Sequence, residues 1–308
     1  MAEQLQCFDQ VHIDVARNST DDFNPFHDPR RWQNIQENPF GSPIALGFQM
    51  EFLAADRVAR HRRAKGEDAL IAQHALHFSN YEFHFADALR VGEDFSVTVK
   101  NTIDKSAQGG GLSNRIVLRK AAGDLVLMGT QSETAEPRFL PDAVIEGLPS
   151  LEHLPDRIMA PGTPYFRKRK FLNTSNGKNF AVGALCDQHD YFDELSERVD
   201  FPPLFTASMV SCALLEKGWA HGHDFEADAL VYTSHQISVD NRLQRKLRSN
   251  DMLNILVEGP LAPPPPKGLG CASVQQQLYR CLGVLHGRQI LFRANVQLAP
   301  LRSFLGKH

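Results

Sequence analysis

The chain runs through one order of elements twice, and this constrains its fold more than any other feature. Ile44, Phe48, Phe52, Leu53 and Val58 recur at helical spacing and predict a helix over residues 44–63. Its closing "RVARHRR" suits the negative end of a helix dipole. Four strand-like runs follow. Tyr81, Phe83 and Phe85 alternate with Glu82 and His84; Phe95, Val97 and Val99 alternate with Ser96 and Thr98; "RIVLRK" and "DLVLMGTQSETA" complete the set, with turn signals at "QGGGLSN" and "AAGD". The second pass has a helix from near Leu204 ("LFTASMVSCALLEKGWA") and strands at "ALVYTSHQISV", "MLNILVEG", "SVQQQLYRCLGVL" and "QILFRANVQL". "APPPPKGLG" stands where "SAQGGGLSN" stood, and "HGR" where "AAGD" stood. An extended piece is expected over 5–15 ahead of the first helix, and two more, "FRKRKFLN" and "NFAVGALC", ahead of the second. Such self-similarity predicts two tandem copies of one α+β unit.

The copies are expected at 1–136 and 165–308. Between them, residues 137–164 carry six prolines (137, 141, 149, 155, 161 and 164), which deny continuous regular structure. That segment reads as a linker packed over a surface, with one short helical turn. The 308 residues suit two domains, and 42% hydrophobic residues supply a core. With 36 acidic and 33 basic residues there is no global basic excess to suggest nucleic acid as a partner. The start, "MAEQLQCFDQ", lacks the basic and apolar runs of a signal peptide, and no apolar stretch is long enough for a membrane span. Cys7, Cys186, Cys212, Cys271 and Cys281 form no CxxC pair. Reduced thiols and a cytoplasmic location are expected.

The stretch "STDDFNPFHDP" places Asp22, Asn24, Pro25 and His27 within six residues, ahead of the first long helix. One reading is an Asx turn that caps local structure. The other is a site that holds an acid–base pair over a substrate.

"DFNPFH" followed by "GSPIALGF" resembles the signature of MaoC-like (R)-specific enoyl-CoA hydratases and dehydratases, in which an Asp-x-Asn-Pro-aliphatic-His segment precedes a Pro-Ile-x-His-Gly helix start. The resemblance covers residues 1–135 well and 165–300 as a decayed copy. It implies a tandem double hotdog, two antiparallel sheets each wrapping a long central helix. It implies hydration of a trans-2-enoyl thioester to a 3-hydroxyacyl thioester, or the reverse, on coenzyme A or acyl carrier protein, with no cofactor or metal. Asp22 and His27 would be the catalytic pair, Asn24 and Pro25 would shape the turn, and Gly47 would bring a backbone N–H and the helix dipole to the thioester oxygen. Three departures stand out: Asp21 where the family has Gly, Leu46 where it has His, and "HDP" for His-x-Asp-Pro. Asp21 beside Asp22 could raise a pKa if both are buried. With Leu46, it could signal drift toward a hotdog acyl-CoA thioesterase. A non-catalytic acyl-thioester-binding protein is the third possibility.

In "CDQHDYFDELSERVDFPPLFTASM" the second copy puts Asp187 at the place of Asp22, His189 at Asn24, Phe192 at His27 and Ala207 at Gly47. It lacks the dyad, so it is expected to complete the core and line the acyl tunnel, in a monomeric pseudo-dimer or a homodimer. "FRKRKF" and "RLQRKLR" would either face solvent or meet carrier phosphates or an acidic carrier protein. "HGHD" shows no third metal ligand and reads as a surface loop, and "GGG" at 109–111 as a hairpin tip. His74, His77 and His84 are expected on or near a strand, as core or face histidines, and no GxSxG is present.

Overall fold

The computed structural model describes residues 5–142, 148, 150–263 and 275–305. The first half contains α1 (Gln10–Thr20), α2 (Gly47–Ala64) and α3 (Asp68–Gln73), then β1 (Phe78–Phe85), β2 (Phe95–Val99), β3 (Ile103–Lys105), β4 (Gly111–Lys120) and β5 (Leu125–Thr134). The second half has β6 (Ile158–Met159), β7 (Phe166–Phe171), α4 (Thr174–Gly183), β8 (Phe192–Asp193), β9 (Arg198–Val199), α5 (Pro203–Ser208) and α6 (Val210–Ala220). It ends with β10 (Leu230–Asp240), α7 (Asn241–Gln244), β11 (Met252–Leu261), β12 (Gln277–Leu285) and β13 (Gln289–Pro300).

The two meanders join into one 11-stranded sheet, ordered β2-β4-β5-β1-β10-β13-β12-β11-β7-β6, with β3 also on β4. The seam is antiparallel β1 on β10, with Phe78 opposite Asp240 and Tyr81 opposite Ile237. This is the tandem double hotdog. One apolar cluster runs through both halves, because both central helices bury against the same continuous sheet. Aromatic rings link the helices inside it: Phe52 of α2 stacks on Phe180 of α4 at 5.6 Å, and Phe180 meets Phe205 of α5 at 5.7 Å.

Two segments expected to be extended are helices instead. In the first, only Gln6 bridges to a strand, at Phe95. Asp9 and His12 form a reciprocal capping box, and α1 starts there. The alternation of Val11, Ile13 and Val15 imitates a strand, yet burial follows helical spacing at Ile13, Ala16 and Thr20. In the second, the Asn173 side chain accepts from the Ser175 N–H and starts α4 across "NFAVG". These helices pack on each other with no room to spare. A Cβ on Gly183 would lie 2.8 Å from the Ala16 nitrogen and the His12 carbonyl oxygen. The second central helix is also interrupted, at Met209. There the Thr206 and Ser208 hydroxyls donate to the carbonyls of Pro203 and Phe205, a bonding that bends helices.

After β5, Leu140 and Leu151 pack with Tyr165, Leu256, Leu282 and Val284 in a separate cluster on the second-half sheet. The Arg138 N–H reaches Asn80 Oδ1 of β1 and Ser238 Oγ of β10, at 3.0 and 3.2 Å, and so fastens this segment to the seam. The short helical turn expected here, most of "APPPPKGLG", and Cys271 lie outside the described residues. The four described cysteines are free thiols. No described helix is long and apolar enough to cross a membrane.

Two tests follow from this packing. Gly183→Val should wedge α1 from α4 and destabilise the fold by about 1–3 kcal/mol, lowering Tm by roughly 3–10 °C in a thermal melt. A fragment of residues 1–136 bares the β1 edge and the apolar seam. It should elute as a self-paired or aggregated species in size exclusion with light scattering; a soluble monomer would contradict the paired arrangement.

Candidate functional site

Helix α1 ends where Asp21 takes a left-handed conformation (φ 56°) and the Asp22 N–H returns to the Arg17 carbonyl at 2.8 Å. Two nested side-chain turns follow. Asp22 Oδ1 accepts from the Asn24 N–H at 3.0 Å, and Asn24 Oδ1 accepts from the Phe26 N–H at 3.1 Å. Pro25 then opens a single 3₁₀ turn that ends at His27. The Asx-turn reading is therefore correct in geometry, and that turn is what brings Asp22 and His27 together. Both are buried, each about 5% exposed.

His27 Nδ1 lies 2.8 Å from the Ile44 carbonyl oxygen, which can only accept. The proton must therefore sit on Nδ1, leaving Nε2 unprotonated in the neutral ring. Burial lowers the His27 pKa, and the Asp22 carboxylate partly restores it. The loop is braced from α1, where Arg17 holds Asp28 at 2.9 Å and Asp14 at 3.1 Å. Asp28, in the shortened "HDP", caps the next turn by accepting from the N–H groups of Arg30 and Arg31.

Gly47 opens α2, and its N–H has no backbone acceptor among the described residues. A Cβ there would come within 3.0 Å of Phe85 and 3.4 Å of Tyr232. Leu46, where a histidine was expected by resemblance, is buried in the core. Its N–H is taken by Gln49 Oε1, while Gln49 Nε2 donates to the Gly183 carbonyl at 2.6 Å. The helix start is thereby anchored to the second half.

Sequence reasoning missed two residues. Tyr232 of β10 hydrogen-bonds Ser211 of α6 at 2.8 Å. Burial pushes its phenol well above the ordinary range, and the nearby Asp22 charge adds to the rise. A bulge between Tyr232 and Ser234 breaks the period-two alternation, so strand pattern could not reveal where this ring points. Beneath it, His235 lies against Tyr232 (4.4 Å) and Phe48 (4.6 Å) and meets Glu51 at 2.8 Å, with both ionisable groups fully buried. A cleft of about 580 Å³ opens beside Asn24, Ser211 and Tyr232 and runs along α6.

Several expectations need correction. Asp21 does not join Asp22 in a buried carboxylate pair; its exposed side chain turns to Lys170 of β7. In "FRKRKF" Phe171 is exposed, but the cations neither form a solvated face nor stand free for phosphates. Arg167 is spent on Asn254 and the carbonyls of Leu154 and Pro155, Lys168 on Glu216 (2.9 Å) and Asp156, and Lys170 on Asp21. In "RLQRKLR", Arg242 pairs with Asp240 at 2.7 Å and covers the Phe78 ring, Gln244 and Leu247 are buried, and Arg245, Lys246 and Arg248 are exposed. Among the described residues no cluster of three metal-binding side chains exists; in "HGHD", His221 bonds the Lys217 carbonyl.

The second copy aligns differently from its sequence reading. Leu185 takes the left-handed role of Asp21, and the Cys186 N–H returns to Ala181 as Asp22's does to Arg17. Cys186 thus stands at the place of Asp22. Asp187, not His189, caps the following 3₁₀ turn as Asn24 does. That turn ends on Asp190, so Asp190 rather than Phe192 occupies the place of His27 and pairs with Arg60 at 2.8 Å. Asp187 and His189 do meet at 2.9 Å, but both are exposed. Helix α5 begins at Pro203, which has no N–H to offer, so Ala207 is not the counterpart of Gly47.

No family model and no curated protein matches the sequence. Solved structures do match the fold. A Chloroflexus aurantiacus protein described as a MaoC domain dehydratase superposes with a TM-score of 0.59 at 11% identity, over 96% of this chain and 93% of that one. A MaoC-like dehydratase gives 0.57 at 11% identity, over 97% and 96%. The Mycobacterium tuberculosis protein RV0216, described as having a double hotdog fold, gives 0.55 at 11% identity, again over 97% and 96%. The chain thus shares, over nearly its whole length, the double hotdog fold of MaoC-like dehydratase structures.

Proposed function

We propose that the protein interconverts trans-2-enoyl and 3-hydroxyacyl thioesters of coenzyme A or acyl carrier protein, with Asp22 and His27 as the catalytic pair. One observation carries this reading: His27 is locked by Ile44 into the tautomer whose free Nε2 is a base, in a buried turn that Asp22 itself closes. In hydration, Asp22 and His27 hold one water. His27 Nε2 takes a proton from it as the oxygen bonds to C3, and the π electrons move through C2 onto the thioester oxygen. The Gly47 N–H and the positive end of α2 stabilise that enolate. The imidazolium then returns its proton to C2, so atoms and charge balance. Asp22 stabilises the transient imidazolium, in keeping with its effect on His27. Dehydration is the same path reversed.

The rival reading, thioester hydrolysis by a carboxylate, drew on Asp21 beside Asp22 together with Leu46. With Asp21 turned to Lys170, the paired-carboxylate part of that argument falls away. The acyl ligand would sit in the cleft beside Asn24, whose walls come mainly from the second half.

Asp22→Asn keeps an oxygen for the Asn24 N–H, so it should leave Tm within a few degrees while lowering turnover of an enoyl-CoA about 10²–10⁴-fold, as should His27→Ala. Cys186→Ala and Asp190→Asn should stay within a few-fold of wild type. The assay follows loss of enoyl absorbance beside release of free thiol. Thiol release without hydration would favour the thioesterase, and acyl-CoA binding with neither reaction a binding protein.

The pH profile gives a separate check. A lowered pKa favours neutral His27, so the base form survives to lower pH than in an ordinary histidine. The acid limb of kcat/KM should fall below pH 6.5, the ordinary histidine value. A limb above it would remove His27 as the base.

A further inference from the structure

Ser211, Leu214, Leu215 and Gly218 of α6 face the cleft at helical spacing, and Lys217 lines it beside them. Lys217 is only 8% exposed. Its ammonium has no ion pair or hydrogen bond with any described residue; only its backbone carbonyl is used, by His221. Desolvation, with no offsetting carboxylate, lowers the Lys217 pKa. The acids on the same cleft are already engaged: Asp224 caps a turn through the N–H groups of Glu226 and Ala227, and Asp228 pairs with Arg302. Among the described residues the other buried lysines are matched, Lys120 by Asp87 at 2.7 Å, Lys168 by Glu216 at 2.9 Å and Lys170 by Asp21.

A largely buried lysine with no counter-charge among the described residues favours a ligand that brings one. We infer that Lys217 binds a carboxylate carried by the acyl chain, so the cleft selects thioesters of dicarboxylic acids. This rests on the proposed placement of the thioester in the cleft. Lys217 follows Ser211 by six residues, a rise of about 9 Å along α6, and Ser211 is bonded to Tyr232, whose ring lies beside Gly47. A carboxylate on a short acyl chain lies within that reach. The phosphates of coenzyme A, at the far end of the pantetheine arm, do not.

The test is calorimetric binding of S-(4-carboxybutyl)-CoA, S-pentyl-CoA and free coenzyme A to wild type, Lys217→Met and Lys217→Arg. These thioethers can be neither hydrated nor hydrolysed. Wild type should prefer the carboxylate ligand by about 10–100-fold. Lys217→Met should abolish that preference while leaving the other two ligands within about two-fold, and Lys217→Arg should keep most of it. Three results would overturn the inference: equal weakening of all three ligands, which would assign Lys217 to the carrier; unchanged affinity for the carboxylate ligand in Lys217→Met; or no preference in wild type. A preserved preference alongside absent hydration would discard the proposed reaction and leave this inference standing.

Discussion

The pairing of β1 with β10 is the constraint on which the rest of the structure depends. It merges five strands of the first half and six of the second into one sheet and sets the central helices into a common core. It also brings Tyr232, on the second-half strand of the seam, to the start of the first-half helix at Gly47. No arrangement confined to one half could assemble the candidate site. Asp22, His27 and Gly47 come from one copy, and Ser211, Tyr232 and most of the cleft from the other.

Polar groups inside this core are organised to be satisfied, and this is visible where charge is deepest. Arg62 reaches from α2 to Asn114 and Glu133, and Glu133 in turn accepts from the Ser79 hydroxyl. Arg167 lies wholly buried against Asn254 and two carbonyls. In these networks the buried guanidinium groups find acceptors, and removing one member strands the rest. Fixed elements of this kind hold the sheet and helices rigid around the less regular loop that carries Asp22 and His27.

The tandem fold was legible in the sequence because long, strongly periodic runs such as Tyr81–Phe83–Phe85 carry their own signal. The corrections fall where a short segment offers two periods at once. Val11, Ile13 and Val15 alternate like a strand, but the Asp9–His12 box decides for helix. The local geometry of Asp22, Asn24, Pro25 and His27 was legible because consecutive residues make the turn. Tyr232 and Ser211 were not, since one sits beside a bulge and the other within a helix, and nothing in linear sequence joins them. The second copy was misaligned for a similar reason: Asp187 invites comparison with Asp22 by residue type, whereas helix termination at Leu185 places Cys186 there. Lysines 168 and 170 read as surface charge because their partners, Glu216 and Asp21, lie far away in sequence.

Joining both copies in one chain has a consequence for Pro203. In a symmetric pair of identical subunits, every substitution appears twice, and a proline at the helix start would delete the N–H from both sites at once. Covalent duplication frees each copy from the mirror of the other. One helix can keep Gly47 while its twin begins on proline, and a thiol and a paired carboxylate can settle where the dyad stood. The released half is then open to specialise as a wall, and any change in the shape or charge of that wall is written once, against a single site.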